Sequence, residues 1–133
     1  TCALPISGKK EYRDEAIEVL TQITDQGWGT FDTLDTLAVQ YEKQGDIEQA
    51  RKTADRMLQD YGEDYRIYMR YAFQEIDLQE QKDNPRRDYT QFAEYYEKAE
   101  DLYKEQMKDN NTDAQMQLLE DVYRQVREGG WLE

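Results

Sequence analysis

Histidine is absent from the 133 residues. With it go the Ser/His/Asp and Cys/His triads, the usual zinc sites and the commonest general base. The single cysteine, Cys2, forbids an internal disulfide and leaves the redox compartment open. No apolar run approaches the ~20 residues that a membrane-spanning helix needs, and no signal peptide is visible in the first residues. Positive charge is scarce: 17 Lys and Arg face 30 Asp and Glu, a net charge of −13. The imbalance is uniform, with 8 positive and 14 negative groups over residues 1–66 and 9 and 16 over 67–133, so there is neither a basic arm nor an acidic tail. Such a field repels phosphate backbones and anionic lipid. Nucleic acid and membrane are therefore not expected partners, and the expected compartment is the cytoplasm.

Proline (two) and glycine (seven) are also scarce, which leaves long stretches without a helix breaker. Ala, Leu, Glu, Gln, Lys and Arg dominate those stretches, a helix-forming composition. A charged fraction of 35% and a mean hydropathy of −1.12 approach the range of disordered chains. Eleven Tyr, three Phe and two Trp argue against disorder, because a solvated coil has no use for that much ring area.

Apolar residues recur at helical spacing along the whole chain. The first helix is predicted over 9–25, with Tyr12, Ala16, Ile17, Val19, Leu20 and Ile23 on one side. It stops at Gly27-Trp28-Gly29, and Trp28 is expected to plug the gap between helix pairs, with an exposed binding aromatic as the alternative. Thr30 or Asp32 can cap a second helix over 31–43, and Gly45-Asp46 breaks it from a third over 47–61. A fourth is predicted over 64–81, then a polar break at Lys82–Asp88 in which Pro85 forbids a continuous helix. A fifth spans 89–108 and a sixth 112–127, followed by Gly129-Gly130-Trp131, with Trp131 placed against the last helix. No segment alternates with period two. Thr1–Gly8 is expected to be an unstructured leader or truncated end.

Short turns between such helices make antiparallel neighbours. Residues 31–64 carry Leu34, Leu37-Ala38, Tyr41, Gly45-Asp46, Ala50, Ala54, Met57 and Gly62. This pattern resembles the tetratricopeptide repeat (TPR), with Leu34 where Trp is usual, Ala54 where an aromatic is usual and Gly62 near the usual Pro. The resemblance implies an all-α fold: about six helices as antiparallel hairpins stacked in a right-handed TPR-like superhelix. It divides 9–133 into a partial repeat (9–29), a full repeat (30–63), a divergent repeat (64–109) and a capping helix (110–133). Small residues at Ala38 and Ala50 allow the two helices of the full repeat to approach closely.

Family members of this kind bind proteins through the concave face made by the first helix of each repeat. Projected here, that groove holds Asp32, Asp35, Val39, Glu42 and Lys43 on one repeat and Arg66, Met69, Arg70, Phe73 and Asp77 on the next. Some members grip a C-terminal carboxylate with Lys and Asn on this face. Asp35 and Val39 stand in the places those residues need, so the resemblance does not extend to a carboxylate clamp. Arg66 and Arg70 have a plainer role open to them, pairing with nearby acids. The resemblance thus implies a non-catalytic module for a partner peptide or helix. Similar tails follow the catalytic domains of bacterial signalling proteins such as Ser/Thr kinases, and the ending Gly129–Leu132 resembles theirs. A competing expectation is self-association through the end helices, as a homodimer.

Other chemistry was weighed against ordinary helix surface. About half of the carboxylates have Lys or Arg three or four residues away, as in Glu94–Lys98 and Glu100–Lys104, which speaks against a two-carboxylate hydrolase. There is no Gly-rich phosphate loop, nucleophile elbow or CxxC. Asp109, Asn111, Asp113 and Glu120 have the spacing of a calcium loop, but Ala114 stands where the sharp turn needs Gly. Thr112 and Gln115 as a helix cap explain the same residues. No metal and no cofactor is expected.

Overall fold

The structure is a computed structural model, and it describes residues 6–106 and 114–131. Among the described residues there are six α-helices, one 3₁₀ turn and no strand. They are α1 (Ile6–Asp25), α2 (Phe31–Gln44), α3 (Ile47–Tyr61), α4 (Tyr65–Glu80), α5 (Thr90–Gln106) and α6 (Ala114–Glu128), with the 3₁₀ turn at Asn84–Arg86. The fold is all-α, as predicted. Helix α1 begins at Ile6, so Ile6, Ser7 and Gly8 of the expected leader are helical, and residues 1–5 lie outside the described residues. The chain divides into two compact units, Thr1–Met57 and Leu58–Glu133. The division falls inside α3, within the stretch 30–63 read from sequence as one repeat.

In the first unit α1 packs along α2. Thr30 caps α2 through a reciprocal box with Thr33, each side-chain oxygen accepting from the other residue's backbone N–H. This satisfies two amides that a helix start otherwise leaves without partners. Leu34, Leu37 and Ala38 of α2 are buried, as are Ile47, Ala50, Thr53, Ala54 and Met57 of α3. Arg13 donates to the Gln44 amide oxygen at 3.2 Å, and the same amide donates to Asp14. Arg56 reaches the Thr24 carbonyl at the end of α1. Leu34, Leu37 and Tyr41, with Thr21 and Thr24 of α1 and Thr53 and Arg56 of α3, line one shallow cleft.

The turn after α2 is set by Gly45 at φ +80°. Its N–H donates to the Glu42 carbonyl and that of Asp46 to Tyr41, which closes the helix end. The left-handed conformation strains any residue with a Cβ. The same ending recurs twice with tryptophan in second place. Gly27 (φ +78°) and Trp28 donate to Thr24 and Ile23, and Gly130 (φ +75°) and Trp131 donate to Arg127 and Val126.

In the second unit α4 packs along α5, and α6 touches both. The core is largely aromatic: Tyr65, Tyr89, Phe92 and Tyr96 are buried with Met69, Ala72, Ala99, Met116, Leu119 and Val126. Rings pair across the helices. Tyr65 meets Tyr103 edge-on at 5.0 Å, Tyr71 stacks on Tyr95 at 5.0 Å, and Tyr96 stacks on Tyr123 at 4.5 Å. Each such pair contributes roughly 0.5–1.5 kcal/mol beyond its area burial. Trp131 packs edge-on at 5.5 Å against Tyr89, which stands just before α5. The Lys82–Asp88 break folds back on α4. Arg87 donates to the carbonyls of Lys82 and Glu80, so a cation covers the negative end of that helix. The Gln79 side chain accepts from the Asp88 N–H, and Asp88 in turn accepts from Thr90 at the start of α5.

Gly45→Ala tests the turn chemistry. The substitution should lower stability by about 1 kcal/mol, read as a lower urea midpoint at unchanged slope. An unchanged midpoint would mean that the left-handed turn is not required.

Candidate interaction surface

The expected groove residues fall on α2 and α4, one helix in each unit. On α2, Asp32 and Lys43 are exposed, and Asp35, Val39 and Glu42 are half-buried. Their helix is amphipathic and packed by α1 on its other side, so these positions keep contact with solvent. The structure thus leaves a strip of mixed character on α2, acidic at Asp32 and Glu42 with one exposed cation at Lys43, while one carboxylate oxygen of Asp35 is buried.

Helix α4 differs from expectation. Met69 is 3% exposed and belongs to the core; Arg70 is 4% exposed. Neither offers a surface to a partner. The reason is that α5 and α6 both pack against α4, so its buried face is wider than the apolar period alone implies. Arg70 reaches Gln115 on α6 with a 2.6 Å hydrogen bond, and its guanidinium lies 5.0 Å from the centroid of the Phe73 ring. Phe73 itself is half-buried against the core. Gln74, Glu75 and Gln79 are buried on the same helix.

Arg66 is engaged from the start of the helix. Asp64 is the N-cap, accepting the Arg66 N–H at 2.9 Å. The Arg66 guanidinium then grips both Asp64 oxygens, at 3.0 and 2.8 Å. Burial pushes the Asp64 carboxyl up, but the hydrogen bonds and charge of Arg66 outweigh it and hold it below the usual carboxylate range. The plainer role therefore describes Arg66, which pairs with an acid, while Arg70 hydrogen-bonds an amide. Asp77, the last groove candidate on α4, is half-buried, and burial with the nearby Glu80 charge raises its carboxyl.

Ion pairing on α5 also departs from the sequence pattern in one place. Lys104 meets Glu100 at 3.4 Å as the spacing predicts, but Lys98 turns to Glu63 at 2.6 Å rather than to Glu94. Of the calcium-loop candidates, Asp109, Asn111 and Asp113 lie outside the described residues, as does Thr112. Glu120 is on α6, exposed and 3.9 Å from Arg124.

Two features escaped the sequence reading. The first is a cleft between α5 and α6, floored by Tyr96 and walled by Glu100, Glu120, Tyr103 and Met116, with a cavity volume of about 250 Å³. The Tyr96 hydroxyl donates to Glu100 at 2.8 Å and the Tyr123 hydroxyl to Glu97 at 2.9 Å. Sequence gave Tyr96 and Tyr123 as inward-facing but carried no signal of which carboxylates their hydroxyls reach. Burial, then the hydrogen bond to Glu100, pushes the Tyr96 phenol far above its ordinary value. The second is Trp28. Expected to plug a gap, it is instead 72% exposed. Trp131, in the same place after a helix-ending glycine, has Tyr89 to pack on.

Residues 31–73, about a third of the chain, match the tetratricopeptide repeat family. That stretch is similar to a tetratricopeptide repeat, and the six described helices are consistent with an all-α, TPR-like fold. No curated protein and no solved structure matches it. The matched stretch takes in α2, α3 and the first half of α4, reaching beyond the expected repeat into Phe73. Of the residues that carried the resemblance, Leu34, Leu37, Ala38, Ala50, Ala54 and Met57 are buried, Tyr41 is half-buried, and Gly45, Asp46 and Gly62 at the turns are exposed. TPR-like repeats point to a role in binding other proteins or holding them together, and are typically non-catalytic.

Two predictions come from these contacts in the TPR-like protein. Arg70→Glu puts a buried anion beside Gln115 and should cost several kcal/mol, while Arg66→Glu, at a half-exposed site, should cost about 1 kcal/mol. Thermal melts followed by circular dichroism compare them; equal losses would refute the burial of Arg70. The second concerns alkaline pH. A phenol raised in the folded state contributes stability that is complete below its unfolded value, about 10, and is lost as pH climbs beyond it. Tyr96→Phe should cost about 1 kcal/mol at neutral pH and should make the alkaline loss less steep. Urea unfolding on either side of pH 10 measures this, and parallel losses in the two proteins would refute it.

Proposed function

We propose that this TPR-like chain is a non-catalytic protein-interaction module that binds a partner peptide or helix through the outward strip of α2. The observation that carries the proposal is the accessibility of that strip within the matched region: Asp35, Val39 and Glu42 are only half-buried and Lys43 is exposed. The part of the groove once projected onto α4 drops out, because Met69 and Arg70 are interior. A strip that combines an apolar Val39 with charges of both signs suits a peptide held by a few side chains.

The wider setting belongs to the same proposal. The module serves inside a larger signalling polypeptide of bacterial type, in the cytoplasm, with a protein partner rather than nucleic acid. No described helix is long and apolar enough to cross a membrane. Self-association as a homodimer is the second reading. The exposure of Tyr12, Val19 and Trp28 favours it, and a net charge of −13 on every copy opposes it.

Affinity capture from native lysate, read by mass spectrometry, tests the proposal. The bait is the chain beside a Val39→Glu/Glu42→Arg/Lys43→Glu variant whose folding is checked by circular dichroism. Partners held by the wild type and lost by the folded variant are the expected result. If both capture the same set, the α2 strip is not the binding surface. If the bait captures only further copies of itself, self-association takes first place.

A further inference from the structure

Helix α1 is apolar over more of its circumference than its packing uses. Its side-chain hydrogen bonds to α2 come from Arg13 and Asp14, which share Gln44, and the residues it gives to the cleft with α2 are Thr21, Thr24 and Asp25. At 3.6 residues per turn these positions gather on one side of the helix. Tyr12 and Val19 are seven residues apart, so they line up within about 20° of each other, on the opposite side. They are 56% and 51% exposed. Ala16 and Ile23, half-buried, flank them along the same line. Just past the helix end stands Trp28, the most exposed of the large apolar side chains. An isolated exposed apolar residue is unremarkable, but a stripe along three turns ending in a tryptophan is a docking surface in search of its occupant.

The charges beside the stripe identify the chemistry of that occupant. One flank of the helix is acidic: Glu11, Glu15 and Glu18 occupy it, all exposed, with exposed Gln22 between them and Asp25. Among the described residues no ion pair is formed by Glu11, Glu15 or Glu18, whereas Lys10 is 3.6 Å from Asp14. An apolar stripe bordered by unneutralised carboxylates complements a helix with an apolar stripe bordered by Lys and Arg. A second copy of this chain is a poor fit, since it brings a further acidic flank and −13 of net charge.

We infer that α1 docks a basic amphipathic helix of a partner protein, with Tyr12, Val19 and Trp28 as apolar anchors and Glu11, Glu15 and Glu18 as the charged border. This deepens the interaction-module reading and uses a different surface from the α2 strip, so the two can fail separately.

The test uses the complete 133-residue chain and a fluorescein-labelled synthetic helix of about five turns, ~18 residues, with Leu at helical spacing and Lys on both flanks. A control peptide carries Glu in place of every Lys. Fluorescence anisotropy should give saturable binding of the Lys peptide, weakened by salt, and binding of the Glu peptide at least about tenfold weaker. Tyr12→Ser/Val19→Ser and Trp28→Ser, which alter only exposed side chains, should each weaken binding by about tenfold while the circular dichroism spectrum stays the same. Glu11→Gln/Glu15→Gln/Glu18→Gln should reduce the salt dependence. No binding of the Lys peptide overturns the inference. So does equal binding by the Tyr12→Ser/Val19→Ser variant, which would make the attraction diffuse charge alone. A concentration-dependent dimer in sedimentation, abolished by that same variant, would assign the stripe to a second copy and overturn it as well. In any of these cases, partners lost by the α2 variant and kept by the α1 variants would leave the module reading standing.

Discussion

Tyrosine supplies most of the ring area buried in the second unit, and each ring brings a hydroxyl that has to keep a hydrogen bond. That requirement shapes α4, α5 and α6 more than apolar burial does. Tyr96 goes fully inside only because Glu100, one turn along the same helix, accepts its proton donor. Tyr123 lies on Tyr96 and is held in turn by Glu97 across the helix pair. Carboxylates that look like solvent coating in the sequence are thereby recruited as acceptors. The acidic composition and the aromatic composition are two sides of one solution, since a chain with fewer carboxylates on α5 would leave these hydroxyls without partners.

The same logic extends to the buried polar residues of α4. Arg70 is interior because Gln115 and the face of Phe73 receive it, and Gln79 is interior because it accepts from the Asp88 amide at the foot of the returning loop. A buried arginine left unpartnered would cost several kcal/mol. These bonds join sequence positions far apart, and they close α4 on sides that a helical-wheel projection leaves open.

What could be read from the sequence follows from this. The helices were legible, because their apolar periods, the Gly45 turn and the Thr30 cap act within a few residues. The small residues at Ala38 and Ala50 were legible as close-packing positions for the same reason. Arg70 and Met69 were misplaced, since a projection of one helix says nothing of how many neighbours it acquires. Trp28 was misplaced for the converse reason. Its local surroundings match those of Trp131, and only the presence of Tyr89 in one case separates a packed ring from an exposed one. The start of α1 at Ile6 went unseen because that stretch lacks an apolar period.

The two helix endings of glycine followed by tryptophan have an optical consequence. The chain has two tryptophans, one in each compact unit. Trp28 sits in water and emits far to the red; Trp131, half-buried against Tyr89, lies in less polar surroundings. Each unit thus carries its own fluorophore with its own colour and quenching. Unfolding of the second unit exposes Trp131 to water and moves its emission to the red. The protein is built as a two-channel reporter on itself, without a label.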